Sequence, residues 1–243
     1  MTDRNSGRPP IGGIKQVPTN AVFFDENNPD AITTTFDAGD YADCSEFTVA
    51  VRFKMITRSV NSDLIFRMLA TNTAAGPTVS ITSTGIMEAT IISGGFNQLN
   101  MNPSFTVDDD IWYTLLVSGS NPEGQAVVYL DDVLVSSSAT WGADGDTALA
   151  NNARTGLLDL VEPHMQISRM FVDITKEIDF RVEANRRKFF DTDNNPVEID
   201  ITGMGLNPFF YMGDGMKAYQ WNRGENMGSM LGITNTSGAV TDV

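Results

Sequence analysis

The chain has 243 residues, 41% hydrophobic and 19% charged, so its composition excludes a disordered chain and predicts a sizeable core. Its net charge of −15 opposes nucleic-acid binding, which depends on neutralising phosphates. A single cysteine, Cys44, and a single histidine, His164, rule out an intrachain disulfide and a zinc site. Without a signal core or an apolar span, we expect a soluble protein made in a cytoplasm that does not bind membranes.

Residues 1–20 are rich in proline and glycine and carry few large apolar side chains, which predicts an extended arm. Arg4, Arg8 and Lys15 make this arm basic on an acidic protein. It is either a frayed terminus or an arm that contacts a neighbouring subunit, with Arg4 and Arg8 as contact residues.

From residue 21 the pattern is that of β-strands. In "FTVAVRFKM", Phe47–Met55, apolar residues alternate with small or polar ones. This period of two predicts a half-buried strand. The apolar face consists of Phe47, Val49, Val51, Phe53 and Met55, and the other face of Thr48, Ala50, Arg52 and Lys54.

Further strands follow at short intervals. We expect a hairpin closed near Gly85, a buried strand over Ile111–Gly119, two strands around Asp131–Asp132 and another over His164–Asp173. At least eight short strands with almost no helical periodicity predict an all-β, antiparallel sandwich or barrel. We expect one domain over residues 21–195 and an extension over 196–243.

A loop "FDAGDYADCSE" leads into "FTVAVRFKM", and later "WYTLLVSG" precedes "AVVYLDDVLV". Over residues 21–190 this order resembles the laminin-G-like or concanavalin A-like jelly-roll sandwich. The matching residues are Trp112, Tyr113, Val117, Tyr129, Leu130 and Asp131. Asp132 stands where the hairpin of that family usually has glycine. The resemblance implies a jelly-roll fold.

The segments "DFRVEANRRKFFDTDNNPVEI" and "NPFFYMGDGMKAYQWNRGENMGSMLGITNTSGAVTDV" resemble the C-terminal part of jelly-roll proteins encoded by tailed bacteriophages. The resemblance implies a virion protein. The matching residues are Asn185, Arg186, Arg187, Phe189, Asp191, Pro196, Val197, Tyr211, Gly213, Asn222, Arg223, Gly224, Gly238, Ala239, Thr241 and Asp242.

The acids of "KEIDFRVEANRRKFFD" allow two interpretations. On a strand, Glu177, Asp179 and Glu183 would share one face, as in sandwich glycosidases, but Glu177 and Glu183 would lie about 20 Å apart at ~3.3 Å per residue. A retaining glycosidase needs its carboxyls about 5–5.5 Å apart. We therefore predict a short helix near residues 180–190, capped by Asp179, with Val182, Arg186 and Phe189 on one side.

The next apolar segment and the candidate nucleophiles give no catalytic site. "VEIDIT", Val197–Thr202, predicts an ordinary strand with Val197, Ile199 and Ile201 inward. Cys44 lies among acids that blunt a thiol, and no G-x-S-x-G motif accompanies His164. No catalytic residue is assigned, and a non-enzymatic protein is expected.

Two acid-rich loops are candidates for calcium, which binds oxygen ligands. The loops offer Asp37, Asp40, Asp43, Asp108, Asp109 and Asp110. Their spacing does not match an EF-hand, so they are either calcium ligands or ordinary acidic turns. No other cofactor is expected.

Two tryptophans are candidates for carbohydrate contact, because Trp141 and Trp221 lie among small and polar residues. They either stack on sugar or pack in loops or at subunit contacts. Residues 203–232 combine glycines with methionines and aromatics, which suit interfaces. They contact other subunits or cover their own sandwich, and the candidate contacts are Met212, Met216, Tyr219, Met227 and Met230.

These observations predict a structural protein of a tailed-phage particle, assembled in the host cytoplasm. It would decorate the head or form part of a tail or fibre surface. Its expected partners are major capsid or tail proteins and copies of itself. The alternative is an adhesin that attaches the particle to host-surface glycan.

Overall fold

The computed structural model describes residues 22–24, 32–36, 46–56, 63–70, 76–81, 87–93, 96–101, 105–120, 122–137, 140–141, 156–160, 165–173, 175–206, 208, 210–212 and 240–242. Its strands are β1 Val22–Phe24, β2 Ile32–Phe36, β3 Glu46–Met55, β4 Asp63–Ala70, β5 Gly76–Ile81, β6 Met87–Ser93, β7 Phe96–Met101, β8 Trp112–Ser120, β9 Gln125–Leu130, β10 Val133–Ser136, β11 Thr140–Trp141, β12 Gly156–Leu160, β13 Met165–Asp173, β14 Phe210–Met212 and β15 Val240–Asp242. One short helix, α1, runs over Glu183–Arg186. No helix in these ranges is long and apolar enough to cross a membrane.

The strands form two antiparallel sheets. Sheet A has the order β10-β9-β8-β3-β13-β1-β15, and β14 also pairs with β13. Sheet B has the order β11-β7-β6-β5-β4-β12-β2. The molecule is an all-β jelly-roll sandwich, so the predicted fold class is confirmed.

The two predicted hairpins are found where the sequence places them. β5 and β6 pair from Ile81↔Met87 onward, so the hairpin around Gly85 is confirmed. β9 and β10 pair from Leu130↔Val133, with Asp131 and Asp132 between them. Both aspartates have left-handed backbone, with φ of 49° and 64°, as a two-residue hairpin turn requires.

One face of sheet A is the apolar face predicted for β3. Phe47, Val49, Val51, Phe53 and Met55 are all buried. β8 and β13 pair with β3, and β9 pairs with β8, so that buried residues of these strands extend the same face. They are Tyr113, Leu115, Val117, Val128, Leu130, Ile167 and Val172. We call this the inner face of sheet A.

The prediction of a half-buried β3 is wrong, because its other face is buried as well. Thr48, Ala50 and Arg52 are closed off from solvent, and Glu46 and Lys54 at the two ends of that face are half-buried. Their cover includes residues 175–206, which make hydrogen bonds and apolar contacts with this side of the sheet. We call residues 175–206 the cap and the covered side the outer face of sheet A.

The predicted extension contributes strands to sheet A. β14 pairs with β13 through Met212↔Met170, so the backbone of Met212 is part of the sheet. β15 pairs with β1 through Asp242↔Val22. The predicted arm, residues 1–20, and residues 213–239 lie outside the described residues.

Candidate functional site

The cap begins with an irregular segment, not with a strand. The hydroxyl of Thr48 accepts a hydrogen bond from the backbone N–H of Ile178 at 2.8 Å. The same hydroxyl donates to the carbonyl of Lys176 at 2.8 Å. Thr48 thus fixes this segment across the outer face, and the strand on which three acids would line up does not form.

The short helix is present, but its start differs from the prediction. Helix α1 begins at Glu183, its N-cap is Val182, and no side chain caps it. Asp179 instead accepts three hydrogen bonds from Arg181, from the backbone N–H, from Nε and from Nη2, so the predicted cap is wrong. The predicted common side is wrong too, since Val182 is 48% exposed while Phe189 is buried.

Aromatic side chains attach the cap to the outer face. Phe189 lies edge-on to Phe180 of the cap and to Phe171 of β13, with ring centroids 5.2 and 5.5 Å apart. Tyr211 of β14 lies edge-on to Phe171 at 6.4 Å. These rings belong to one cluster with the buried Ala50, Leu116, Val127, Tyr129, Ile178, Phe190, Ile199 and Leu206.

Two buried arginines hold the second half of the cap. Arg52 donates to the carbonyl of Asn194 at 2.8 Å, and its cross-strand neighbour Arg169 donates to the carbonyl of Val197. The predicted strand over Val197–Thr202 is wrong. The segment is irregular and then forms turns, and the carbonyl of Val197 binds Arg169 of the sheet. Ile199 is nevertheless buried, as its apolar character predicts.

The turn between β9 and β10 forms the third attachment. The carboxylate of Asp132 binds Nε of Arg186 at 2.5 Å and Nη2 of Arg187 at 2.5 Å. The guanidinium of Arg186 also stacks on Tyr129, 4.4 Å from the ring centroid. This double ion pair explains why an aspartate occupies the position where the resembling hairpins have glycine.

An open groove of about 900 Å³ lies where the cap meets the ends of β3 and β9. Six carboxylates and three basic groups line it, so the groove is acidic. The lining residues are Glu46, Glu123, Lys176, Glu177, Ile178, Asp179, Asn185, Arg187, Lys188, Val197, Glu198, Asp200, Gly203, Met204 and Leu206.

At one end of the groove, carboxylates and an amide are held together by hydrogen bonds. The amide of Gln125 donates to the carboxylate of Glu177 at 3.1 Å and also to Glu123. The backbone N–H of Glu177 donates to Glu46 at 3.2 Å. Burial raises the pKa of Glu177, and the hydrogen bond from Gln125, which lowers it, offsets this only in part.

The other two acids of the rejected catalytic-strand interpretation, Asp179 and Glu183, are bound to bases. Asp179 pairs with Arg181 at 2.8 Å, and the hydrogen bond from Arg181 lowers the pKa of this carboxyl. Glu183 pairs with Arg187 at 2.8 Å. The groove therefore offers fixed hydrogen-bond acceptors and donors for a polar ligand, and two of the three acids are ion-paired with arginines.

The candidate calcium residues stay a prediction. Within the described part of the chain, no three carboxylate, histidine or cysteine side chains come together as a metal site. Asp108 is half-buried, Asp109 is exposed, and Asp110 lies 3.8 Å from Lys54. The other candidates, Asp37, Asp40 and Asp43, lie outside the described residues.

The candidate carbohydrate residues are also untested. The backbone of Trp141 lies in β11, at the edge of sheet B, where it pairs with Leu99. Trp221, Cys44 and His164 lie outside the described residues. The same is true of the contact candidates Arg4, Arg8, Met216, Tyr219, Met227 and Met230.

Sequence reasoning missed several residues of the groove. Glu46, Glu123 and Gln125 lie far along the chain from Glu177 and carry no motif of their own. Their meeting depends on the register that brings the start of β3 beside the end of β8. The groove also depends on the cap that covers the outer face, and the alternation of β3 does not indicate that this face is covered.

No protein-family model matches the sequence, and no curated protein matches it. Among solved structures, the chain is similar to a protein of Bacteroides ovatus ATCC 8483 for which carbohydrate binding has been proposed. The TM-score is 0.54 at 17% identity, over 82% of this chain and 53% of that one. This likeness supports the shared fold alone, and the chain spans about half the length of that protein.

Two other similarities are weaker. One is to botulinum neurotoxin type C, from a structure concerned with cell entry through two ganglioside molecules, with a TM-score of 0.49 at 14% identity over 69% of this chain and 41% of that one. The other is to a heptameric SAP-like pentraxin from Limulus polyphemus, with a TM-score of 0.45 at 15% identity over 63% of this chain and 75% of that one. The fold assignment rests on the first likeness and on the strand topology.

Proposed function

We propose that the protein is a non-enzymatic binding protein that attaches to cell-surface carbohydrate through the groove on its cap. The observation that carries this proposal is the convergence of Glu46, Glu123 and Glu177 with the amide of Gln125 at one end of that groove. Binding sites for small polar ligands are concave and place a few polar groups at fixed positions. Carboxylates and amides at fixed positions suit the hydroxyl groups of a sugar.

The Bacteroides ovatus protein supports the ligand class, because carbohydrate binding has been proposed for it and it shares the fold. The ion pairing of two of the three acids, Asp179 and Glu183, supports binding without hydrolysis. The ion pairs of Asp179 with Arg181 and of Glu183 with Arg187 hold both carboxylates as partners of bases.

The binding test is a glycan array probed with the full chain. We expect the wild type to bind neutral glycans and the double variant Glu123→Gln/Glu177→Gln to bind at least ~10-fold more weakly, since two acceptors of the groove lose their charge. Asp193→Asn, which removes an exposed carboxylate of the cap outside the groove, is the matched control. An array without any bound glycan refutes the proposal.

The array also distinguishes the groove from the aromatic candidates. If Trp141→Ala or Trp221→Ala abolishes glycan binding and the groove variant leaves it intact, the binding site lies at those tryptophans and the groove assignment is wrong. Loss of binding in the groove variant alone supports the groove.

A second proposal is that the protein belongs to a tailed-phage particle, as a decoration of the head or a part of a tail or fibre surface. The resemblance to phage jelly rolls gains support from what its residues do in the cap. Arg186 and Arg187 bind Asp132, Phe189 enters the core, and Asp191 accepts the backbone N–H of Asn195. Several residues of the resemblance thus hold the cap on the outer face.

The test of the second proposal is mass spectrometry of purified particles. We expect peptides of this chain in constant proportion to the major capsid protein across repeated density gradients. If the peptides separate from the particles, the virion role is refuted, whereas glycan binding by the isolated chain is unaffected by that result.

A further inference from the structure

The strand β10 lies at the end of sheet A and carries exposed apolar side chains. Among the described residues its one neighbour is β9. Val133 is 48% exposed and Leu134 is 47% exposed, although successive residues of a strand point to opposite faces. Side chains of β10 are therefore exposed on both faces of the sheet, and within the described part of the chain no strand pairs with its outer side.

The hairpin geometry shows which backbone groups face outward. Because the turn has two residues, Leu130 and Val133 exchange their backbone hydrogen bonds across the hairpin. The next pair, Leu134 with Tyr129, is then a non-hydrogen-bonded pair. The N–H and C=O of Leu134 consequently point away from β9, toward the open edge.

We propose that β10 pairs with β10 of a second copy, antiparallel and about a twofold axis at Leu134. The two Leu134 residues then exchange two backbone hydrogen bonds, and their side chains meet on one face. The same register places Val133 of one copy opposite Val135 of the other. Sheet A thereby continues into the sheet A of the second copy.

The distribution of charge favours contact between two copies at β10 over contact at other surfaces. Each copy carries a net charge of −15, so most surfaces repel one another. Residues 133–141 contain no charged side chain. In the proposed register the turn aspartates Asp131 and Asp132 lie opposite Ser137 and Ser136, whose hydroxyls can donate hydrogen bonds, so no like charges face each other.

The pairing is short. A register shift between Leu134 and Ser136 marks a bulge, which ends the regular part of the edge. We therefore expect a weak dimer, with a dissociation constant on the order of 10–100 μM, as is usual for small interfaces. The dimer should strengthen with added salt, because salt screens the repulsion between the two acidic bodies.

Sedimentation equilibrium of the full chain tests the proposal. Leu134→Lys places two like charges opposite each other and should weaken the dimer at least ~10-fold. Val182→Lys is the matched control, since Val182 is equally exposed but lies on the cap, and it should leave the dimer unchanged. A wild type that stays monomeric up to about 1 mM, or a Leu134→Lys dimer as strong as the wild type, overturns the proposal.

A covalent test reports the register and does not depend on the strength of the dimer. In a Cys44→Ser background, Leu134→Cys should form a disulfide between copies on mild oxidation, because hydrogen-bonded antiparallel pairs have Cα atoms about 5.5 Å apart. Val182→Cys should not. Equal crosslinking of both variants contradicts the twofold at Leu134, and circular dichroism of each variant confirms that it is folded.

Discussion

Along β3, both faces of sheet A are buried, but different interactions bury them. On the inner face, the side chains of β3 are apolar from Phe47 to Met55. On the outer face, the same strand presents Thr48, Ala50 and Arg52, and the cap supplies carbonyl groups and aromatic rings that match them. Alternation along a strand therefore identifies which face is apolar, and it does not tell whether the polar face reaches water.

The difference also concerns what holds each face. The inner face depends on apolar area removed from water, which is not directional. The outer face combines an aromatic cluster with directional hydrogen bonds. Those made by Thr48 and Arg169 fix the positions of Lys176, Ile178 and Val197, which line the groove. Specific polar contacts thus place the candidate site, while the apolar face holds the sandwich together.

Arg52→Met is the most severe test of this comparison. It leaves the carbonyl of Asn194 and the hydroxyl of Thr114 without the hydrogen bonds that Arg52 donates at 2.8 and 3.0 Å. We expect the free energy of unfolding in urea to fall by about 3 kcal/mol, since buried groups that lose a charged partner cost about 1–3 kcal/mol each.

Lys54→Met is the control for that prediction. Lys54 lies on the same strand and face, but its partner Asp110 is largely exposed, and the atoms are 3.8 Å apart. Its loss should change the free energy of unfolding by less than about 0.5 kcal/mol. If both variants cost equally little, polar contacts do not hold the outer face and the comparison fails.

Two substitutions of Asp132 distinguish the contribution of its ion pairs to stability from the cost of its left-handed backbone. Asp132→Ala removes the contacts with Arg186 and Arg187 and leaves a side chain at a φ of 64°, so we expect a loss of about 2 kcal/mol. Asp132→Gly loses the same ion pairs but relieves the left-handed backbone, so it should cost about 1 kcal/mol less. Equal losses in urea unfolding would mean that the turn is not strained.

Apart from the Lys54 control, Glu177→Gln should have the smallest effect, and its size depends on pH. Burial raises the pKa of Glu177 above its usual 4.5, so the ionised form opposes folding once the pH exceeds the raised pKa. At pH 7 the variant should be more stable, by less than about 1 kcal/mol because solvent screens a half-exposed group. Below pH 4.5 the difference should vanish, and thermal unfolding at both values measures it; a variant less stable at pH 7 contradicts the prediction.

The fold class follows from local patterns. The alternation in β3, the turn at Asp131–Asp132 and the run Ile111–Gly119 each depend on neighbouring residues, and sequence reasoning located all three. The helix was located for the same reason, but its first residue was not. Asp179 has a suitable position and chemistry for a cap, yet Arg181, two residues away, binds it instead.

The site depends on contacts between distant parts of the chain, which no local pattern contains. Thr48 contacts residues 176 and 178, and Arg52 contacts Asn194. "VEIDIT" has the alternation of a strand, but its segment is irregular, and arginines of the sheet bind the carbonyls of Asn194 just before it and of Val197 at its start. The outer face and the groove could therefore be found only after the fold was known.

The pairing of β1 with β15 has a consequence for synthesis of the protein. Val22–Phe24 needs Val240–Asp242 as its neighbour on the open side of sheet A. A ribosome must therefore translate from residue 22 as far as residue 242 before this border can close, and until then the early strand lacks this neighbour. Until then, nascent chains on the same polysome present matching edges to one another, so assembly in the cell should be sensitive to translation speed and to chaperones.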